Sequence, residues 1–295
     1  MPYFNIVYSL LNEASNYHPL TEAFGIDLGT SRSALAVHRF HENADILDVV
    51  PDQRDAESLL YSWAKNAMKE AAKLANIEVL RFIPEPTAAA LSYCSEMRRQ
   101  LNDNEKIFVF DLGGGTFDIS IFNVNNAKLI ELCQHSNLKL GGSNFDNILF
   151  NYAKETFLKE HELDLTYKEN DLFIKSIIAK EALTESEFTN INFQKYINDN
   201  DDEVDVDITR EKFQDLSESL LDELKEDVDK ALQKAHLNAN DITLVIKVGG
   251  SCAMPMIRSL IVDIFQNAEV NFGDPQHEVA KGAALYAASI LPQKE

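Results

Sequence analysis

Val109-Phe110-Asp111-Leu112-Gly113-Gly114-Gly115-Thr116-Phe117-Asp118-Ile119 runs from one apolar segment into another through a turn of three glycines and a threonine. An aspartate closes the first strand, and glycine removes the Cβ that would hold a ligand away from the backbone. The exposed N–H groups of such a turn form a cradle for an anion. The same order of acid, glycine, hydroxyl and returning strand occurs in Asp27-Leu28-Gly29-Thr30. One such turn is ordinary hairpin chemistry. Two, with the aspartate at the same place in each, predict acids facing one another across bound phosphates, where hydrated magnesium balances both.

Working outward, Gly249-Gly250-Ser251 follows the apolar run 242–248 and precedes a helix with Pro255 in its first turn, a setting suited to close approach of a nucleoside. Gly141-Gly142 opens a helix over 144–159. Strands are expected at 24–27, 33–40, 77–83, 107–110, 117–124, 128–134, 188–193 and 204–208. Apolar spacing predicts helices over 56–75, 86–97 and 168–183, one long helix or a pair of helices over 209–236 capped by Thr209, and a closing helix after Asp274-Pro275. Trp63 falls on the apolar stripe of the first of these, a core position. The acid run 198–207 lacks the sixth-position glycine of a calcium loop and reads as a solvated hairpin loop. Strands alternating with helices make the class α/β.

The formal net charge is -21, from 27 basic and 48 acidic residues, which disfavours nucleic acid and anionic membrane surfaces as partners. A phosphorylated ligand must therefore be held by oriented N–H groups, a metal, or a few placed cations. Cys94, Cys133 and Cys252 are widely spaced and form neither a disulfide framework nor a zinc site. No transmembrane segment or signal peptide is expected, and the location expected is reducing, cytoplasmic or nuclear.

FGIDLGTS, FIPEPTAAALSY, VFDLGGGTFDISIF, LGGSNFDN and VGGS, in that order, resemble the signature segments of the heat shock protein 70 family in its nucleotide-binding domain. The resemblance covers about residues 24–48 and 77–290. It implies an actin-like ATPase fold of duplicated ribonuclease-H-like lobes, with ATP or ADP and Mg2+ in the cleft between them. The divisions implied are an N-terminal extension (1–23), a reduced lobe I (24–104), lobe II (105–275) and a closing helix returning to lobe I (276–295). By the same resemblance, Gly29, Thr30, Ser31, Gly113, Gly114, Gly115 and Thr116 bind the β- and γ-phosphates. Asp27 and Asp111 hold magnesium through water, and Glu85 and Asp118 order the metal-bound and attacking waters. Gly141, Gly142, Lys180, Thr184, Gly249, Gly250 and Ser251 fall at the nucleoside and adjacent phosphates.

The chain departs from that pattern in several places. Only 55 residues separate Thr30 from Pro86, where the family places most of a lobe and a catalytic lysine. Lys65 and Lys69 lie on a helix whose lysines are expected to be solvated. Ile177, Ala253 and Gln276 stand where the family has a ribose-binding glutamate, an adenine-stacking arginine and an aspartate, and Ser143 and Asn144 replace two acids. Weakened ATP affinity is expected, with slow hydrolysis in support of protein folding. No substrate-binding domain or peptide-binding cleft is expected in this chain. The alternatives are a catalytically weak module that docks nucleotide-exchange factors or other co-chaperones through lobe II, and a non-functional truncated product.

Overall fold

The computed structural model describes residues 22–28, 33–39, 48–50, 59–74, 77–96, 102–126, 128–197, 200–271 and 277–290. Chain order is β1 (Glu22–Leu28), β2 (Ser33–Arg39), β3 (Asp48–Val50), α1 (Leu59–Leu74), α2 (Glu85–Glu96), β4 (Lys106–Leu112), β5 (Phe117–Asn125) and β6 (Lys128–Asn137). There follow α3 (Gly142–His161), α4 (Glu169–Glu185), β7 (Phe188–Ile197), β8 (Asn200–Thr209), α5 (Arg210–Leu216), α6 (Glu218–Lys234), β9 (Leu244–Val248), α7 (Pro255–Ile264), β10 (Glu269–Asn271) and α8 (Glu278–Ile290).

The central sheet has the order β10-β9-β4-β5-β6-β3. β4, β5 and β6 form an antiparallel meander, and β9 and β10 continue the sheet parallel to β4. Three antiparallel strands extended by two parallel ones is the ribonuclease-H-like arrangement that the motifs implied. Apolar side chains cover both faces, because helices pack on each. Phe108, Phe110, Phe117 and Ile119 point into a large core with Phe145, Leu224, Val228, Ile257 and Phe265. Ile107, Val109, Ile246 and Val248 point the other way, onto Ala88, Ala89 and Tyr93 of α2 and Val279 of α8.

That second face carries the first hairpin. β1 and β2 pair antiparallel over their full length, and α8 packs against both of them and against α2. The strand–turn–strand reading of 24–40 is thus met in its strands; the turn itself lies outside the described residues. Trp63 and Lys65 lie on α1, but their side chains are also outside what is described.

Two expectations are corrected. Residues 77–84 carry no strand; Ile77 N–H donates to the Ala72 carbonyl at 2.9 Å, and Arg81 donates to the Tyr286 hydroxyl at 3.0 Å. Of the acid run, 200–203 is strand rather than loop and extends the expected strand at 204–208, while 198–199 lie outside the described residues: β8 pairs with β7 residue for residue, with Val206 and Ile208 buried and Asp205 and Asp207 exposed. Charges on one face of a two-residue repeat are compatible with a strand whose other face is covered. Of the two forms expected for 209–236, a pair of helices is found, α5 and α6 meeting at Ser217, and the Thr209 hydroxyl accepts the Lys212 N–H as the expected cap. Strands β3 and β10, three residues each, were not expected.

Candidate functional site

β4 ends at Asp111-Leu112 and β5 begins at Phe117, so the turn 113–116 sits at one end of the central pair, closed by Gly113 N–H donating to the Thr116 carbonyl at 3.0 Å. Asp111 and Asp118 are directly opposed across the ladder. Opposed residues share a face, and by alternation it is the face of Ile107 and Val109, on which α2 and α8 lie. Asp111 is 5 % exposed and Asp118 is half-buried. The two acids therefore project toward the side of the sheet that carries the first hairpin.

Two distant glycine segments close on this turn. Gly142 N–H donates to the Gly113 carbonyl at 2.9 Å, and Ser143 N–H donates to that of Gly114 at 2.8 Å. A Cβ on Gly141 would lie 2.6 Å from the Gly115 carbonyl carbon, so only glycine fits there. From the opposite side the Ser251 hydroxyl donates to the Gly113 carbonyl at 2.9 Å. Gly249 has φ +83°, and a Cβ there would meet the Leu112 carbonyl oxygen at 2.3 Å. Beneath that turn the Cys252 thiol donates to the Val248 carbonyl at 2.9 Å, and full burial pushes its pKa up to about 12. It is an inert packing group, not a nucleophile.

The third wall is α4. Lys180 Nζ donates to the Gly142 carbonyl at 3.2 Å and pairs with Asp146 Oδ1 at 2.7 Å, with both side chains largely buried. Burial raises the Asp146 pKa above the ordinary carboxylate value, and the Lys180 contact opposes but does not cancel that shift. Thr184 Oγ1 donates to the Lys180 carbonyl at 3.4 Å, within its own helix. Arg210 caps the end of α4, donating from Nε to the Leu183 carbonyl at 2.9 Å and from Nη2 to those of Thr184 and Ser186 at 3.3 and 3.0 Å.

Of the residues expected at the site, Asp111, Gly113, Gly114, Gly115, Thr116, Asp118, Gly141, Gly142, Lys180, Gly249 and Ser251 are brought together by these contacts. Gly250 opens the short turn 250–253, and Thr184 lies one helical turn beyond Lys180. Glu85 is exposed at the first residue of α2. Asp27 sits on β1 opposite Ala34. Gly29, Thr30, Ser31 and Gln276 lie outside the described residues. Asp146 and Arg210 were missed by sequence reasoning. Asp146 is four residues after Gly142 on one helix face, which was the available signal.

Magnesium fits this donor set. Asp111 and Asp118 offer hard carboxylate oxygens beside a backbone turn. Among the described residues no cluster of three or more metal-ligating side chains exists. Magnesium is commonly held by one or two carboxylates together with water and phosphate.

Residues 62–295, well over half of the chain, match the sequence profile of the Hsp70 protein family. The match spans β4, β5, β6, β9 and β10 of the central sheet, all three glycine segments and Lys180. The chain belongs to the Hsp70 family of ATP-binding chaperones, and its nucleotide-binding domain has the actin-like ATPase fold with a shortened first lobe.

Proposed function

We propose that this chain binds MgATP at the convergence of its glycine turns and hydrolyses it slowly. The observation that supports this most is the stitching of 113–116, 141–142 and 249–251 around the buried Asp111. The β- and γ-phosphates lie on Gly113, Gly114, Gly115 and Thr116, with Gly29, Thr30 and Ser31 closing from the hairpin of β1 and β2. Gly141, Gly142, Lys180, Thr184, Gly249, Gly250 and Ser251 border the nucleoside and adjacent phosphates. Asp27 and Asp111 would hold magnesium, and the ion would neutralise charge on the phosphates. Glu85 and Asp118 orient water for in-line attack on the γ-phosphate, a reaction in which positioning and electrostatics do most of the work.

Residues 24–104 and 276–295 then act as a reduced lobe I and 105–275 as lobe II, a division supported by the packing of α8 on β1, β2 and α2. The chain assists protein folding with partner chaperones and nucleotide-exchange factors that dock on lobe II. Its three buried, unbridged cysteines suit a reducing compartment, cytoplasmic or nuclear. No helix of the described residues is long and apolar enough to cross a membrane.

A second reading, binding with little or no turnover, is favoured by the cations. Lys69 Nζ lies over the Phe82 ring, 5.8 Å from its centroid, and Lys180 is held by Asp146. Neither is a bare charge poised for a transferring phosphoryl group, whose loss costs orders of magnitude in rate. Titration calorimetry with MgATP paired with single-turnover hydrolysis decides between them. Binding with slow turnover supports the first reading, binding without turnover the second, and no binding at millimolar nucleotide sinks both.

A further inference from the structure

Resting on the nucleotide reading above, we infer that Asp227, on the buried stripe of α6, is a positioning residue for the glycine turns and acts on them through Asn137. Asp227 is 2 % exposed and shares that stripe with Leu224, Val228 and Ala231. A carboxylate there costs free energy unless it is paired and hydrogen-bonded. This one is held on both oxygens. Oδ1 lies 3.1 Å from His135 Nε2 and accepts from Lys230 Nζ at 2.9 Å, and Oδ2 accepts from Asn137 Nδ2 at 2.7 Å. Lys234 Nζ, which can only donate, lies 3.1 Å from His135 Nδ1, so Nδ1 accepts and Nε2 carries the proton given to Asp227. Burial pushes the Asp227 pKa up, but the bonds from Asn137, Lys230 and His135 outweigh it and hold the carboxyl below its ordinary value.

Asn137 carries that anchor to the glycine segments. It ends β6 and pairs with Phe117, the residue that follows the turn 113–116. Its Oδ1 accepts the Lys139 N–H at 3.1 Å, which shapes the turn leading out of β6. Beyond that turn the chain has no slack. Leu140 is fully buried, and a Cβ on Gly141 would lie 2.6 Å from the Gly115 carbonyl carbon. Gly142 and Ser143 then donate to the carbonyls of Gly113 and Gly114. A shift of 137–139 is thus passed to the turn 113–116. Glu223 Oε1 also accepts from Asn137 Nδ2, at 3.0 Å, but it is exposed, and water can replace it.

Asp227→Asn is nearly isosteric and keeps an acceptor for His135 and Lys230. It sets an amide Nδ2 against Asn137 Nδ2, donor against donor, and turning the Asn137 amide over would set that group against the Lys139 N–H instead. The link is broken either way.

The test is calorimetry with MgATP on the intact chain, Asp227→Asn, Asn137→Ala, the double variant and Val228→Ala, with urea unfolding and amide NMR of each in the absence of nucleotide. Val228, fully buried on the same helix, controls for lost packing. Asp227→Asn and Asn137→Ala are each expected to weaken MgATP by about fivefold, and the double variant by no more than either. Without nucleotide, the amides of Lys139, Gly141 and Gly142 are expected to move in Asp227→Asn. Val228→Ala is expected to lower the urea midpoint and to leave the Kd and those amides unchanged. Weakening by Asp227→Asn no greater than by Val228→Ala overturns the proposal, since Asp227 would then act through stability alone. A double variant weakened by about 25-fold, the product of the two, overturns the route through Asn137. If Asp227→Asn does not fold, Asn137→Ala decides: fivefold weakening supports the proposal and an unchanged Kd overturns it. These outcomes leave the nucleotide reading standing, whereas absence of MgATP binding by the intact chain overturns that reading and this proposal together.

Discussion

The Ser251 hydroxyl donates to the carbonyl oxygen of Gly113 at 2.9 Å, joining two turns 138 residues apart in the chain. One turn ends β4 and the other follows β9, and the two strands are neighbours in the sheet. Ser251→Ala removes the donor without changing the backbone. The expected cost is about 1 kcal/mol of stability, measured by urea unfolding, with MgATP affinity falling several-fold because the 113–116 turn loses a fixed anchor. Unchanged affinity would show that the stitch does not hold the phosphate turn in place.

Gly249 is the more severe case. Its φ of +83° strains any other residue, and a Cβ would come within 2.3 Å of the Leu112 carbonyl oxygen. Gly249→Ala is expected to cost more than about 2 kcal/mol and to abolish nucleotide-dependent stabilisation in a thermal melt. Wild-type melting and a normal shift with MgATP would contradict the close approach of β9 to β4 at this point.

The Lys180–Asp146 pair gives a pH-dependent prediction. Asp146 already has a raised pKa, from burial first, and Lys180→Met removes the group that opposes the rise. A carboxyl with a raised folded pKa contributes stability below its unfolded value near 3.8, and that contribution is lost as pH climbs through the folded value. The variant should therefore lose about 3 kcal/mol relative to wild type at pH 7, and less near pH 4. Adding Asp146→Asn should restore part of the loss at pH 7. A pH-independent deficit would mean that Asp146 is not the group left exposed to the low dielectric.

Lys247 tests the opposite sign. It is 2 % exposed on the central strand β9, and desolvation lowers its pKa from 10.5. The unfolded chain holds this proton more tightly, so the contribution rises with pH from the lowered value up to 10.5. Lys247→Met keeps the volume and removes the charge. It is expected to raise stability at neutral pH by about 1 kcal/mol or more and to flatten the alkaline side of the stability curve. Destabilisation at every pH would show that the ammonium is held by contacts stronger than its burial cost.

Much of the central sheet was legible because β4, β5 and β9 are apolar runs bounded by glycine turns, and such runs have one stable place in an α/β fold. The 77–84 segment has the same local character as a strand, yet a strand needs a partner, and pairing is a property of the whole sheet. The acid run misled for the converse reason. The alternation of Val204, Val206 and Ile208 with acids marked 204–208 as strand, but net charge suggested a loop for 200–203, where β7 supplies the partner. The glycine-turn residues were legible one turn at a time, and their convergence was not, since contacts such as Gly142 to Gly113 arise from topology. Lys180 was found by its motif position, whereas Asp146, its partner at 2.7 Å, follows only once α3 and α4 are packed together.

The central claim, that the three glycine turns together bind the phosphates of a nucleotide, is tested most directly by amide NMR of the isotope-labelled chain titrated with MgATP. The account predicts that the largest shifts fall on Gly113, Gly114, Gly115 and Thr116, with Gly141, Gly142, Gly249 and Ser251 moving at the same nucleotide concentration, and that Asp111→Asn weakens all of them together. Shifts confined to other surfaces, or a spectrum unmoved at millimolar MgATP, would contradict it.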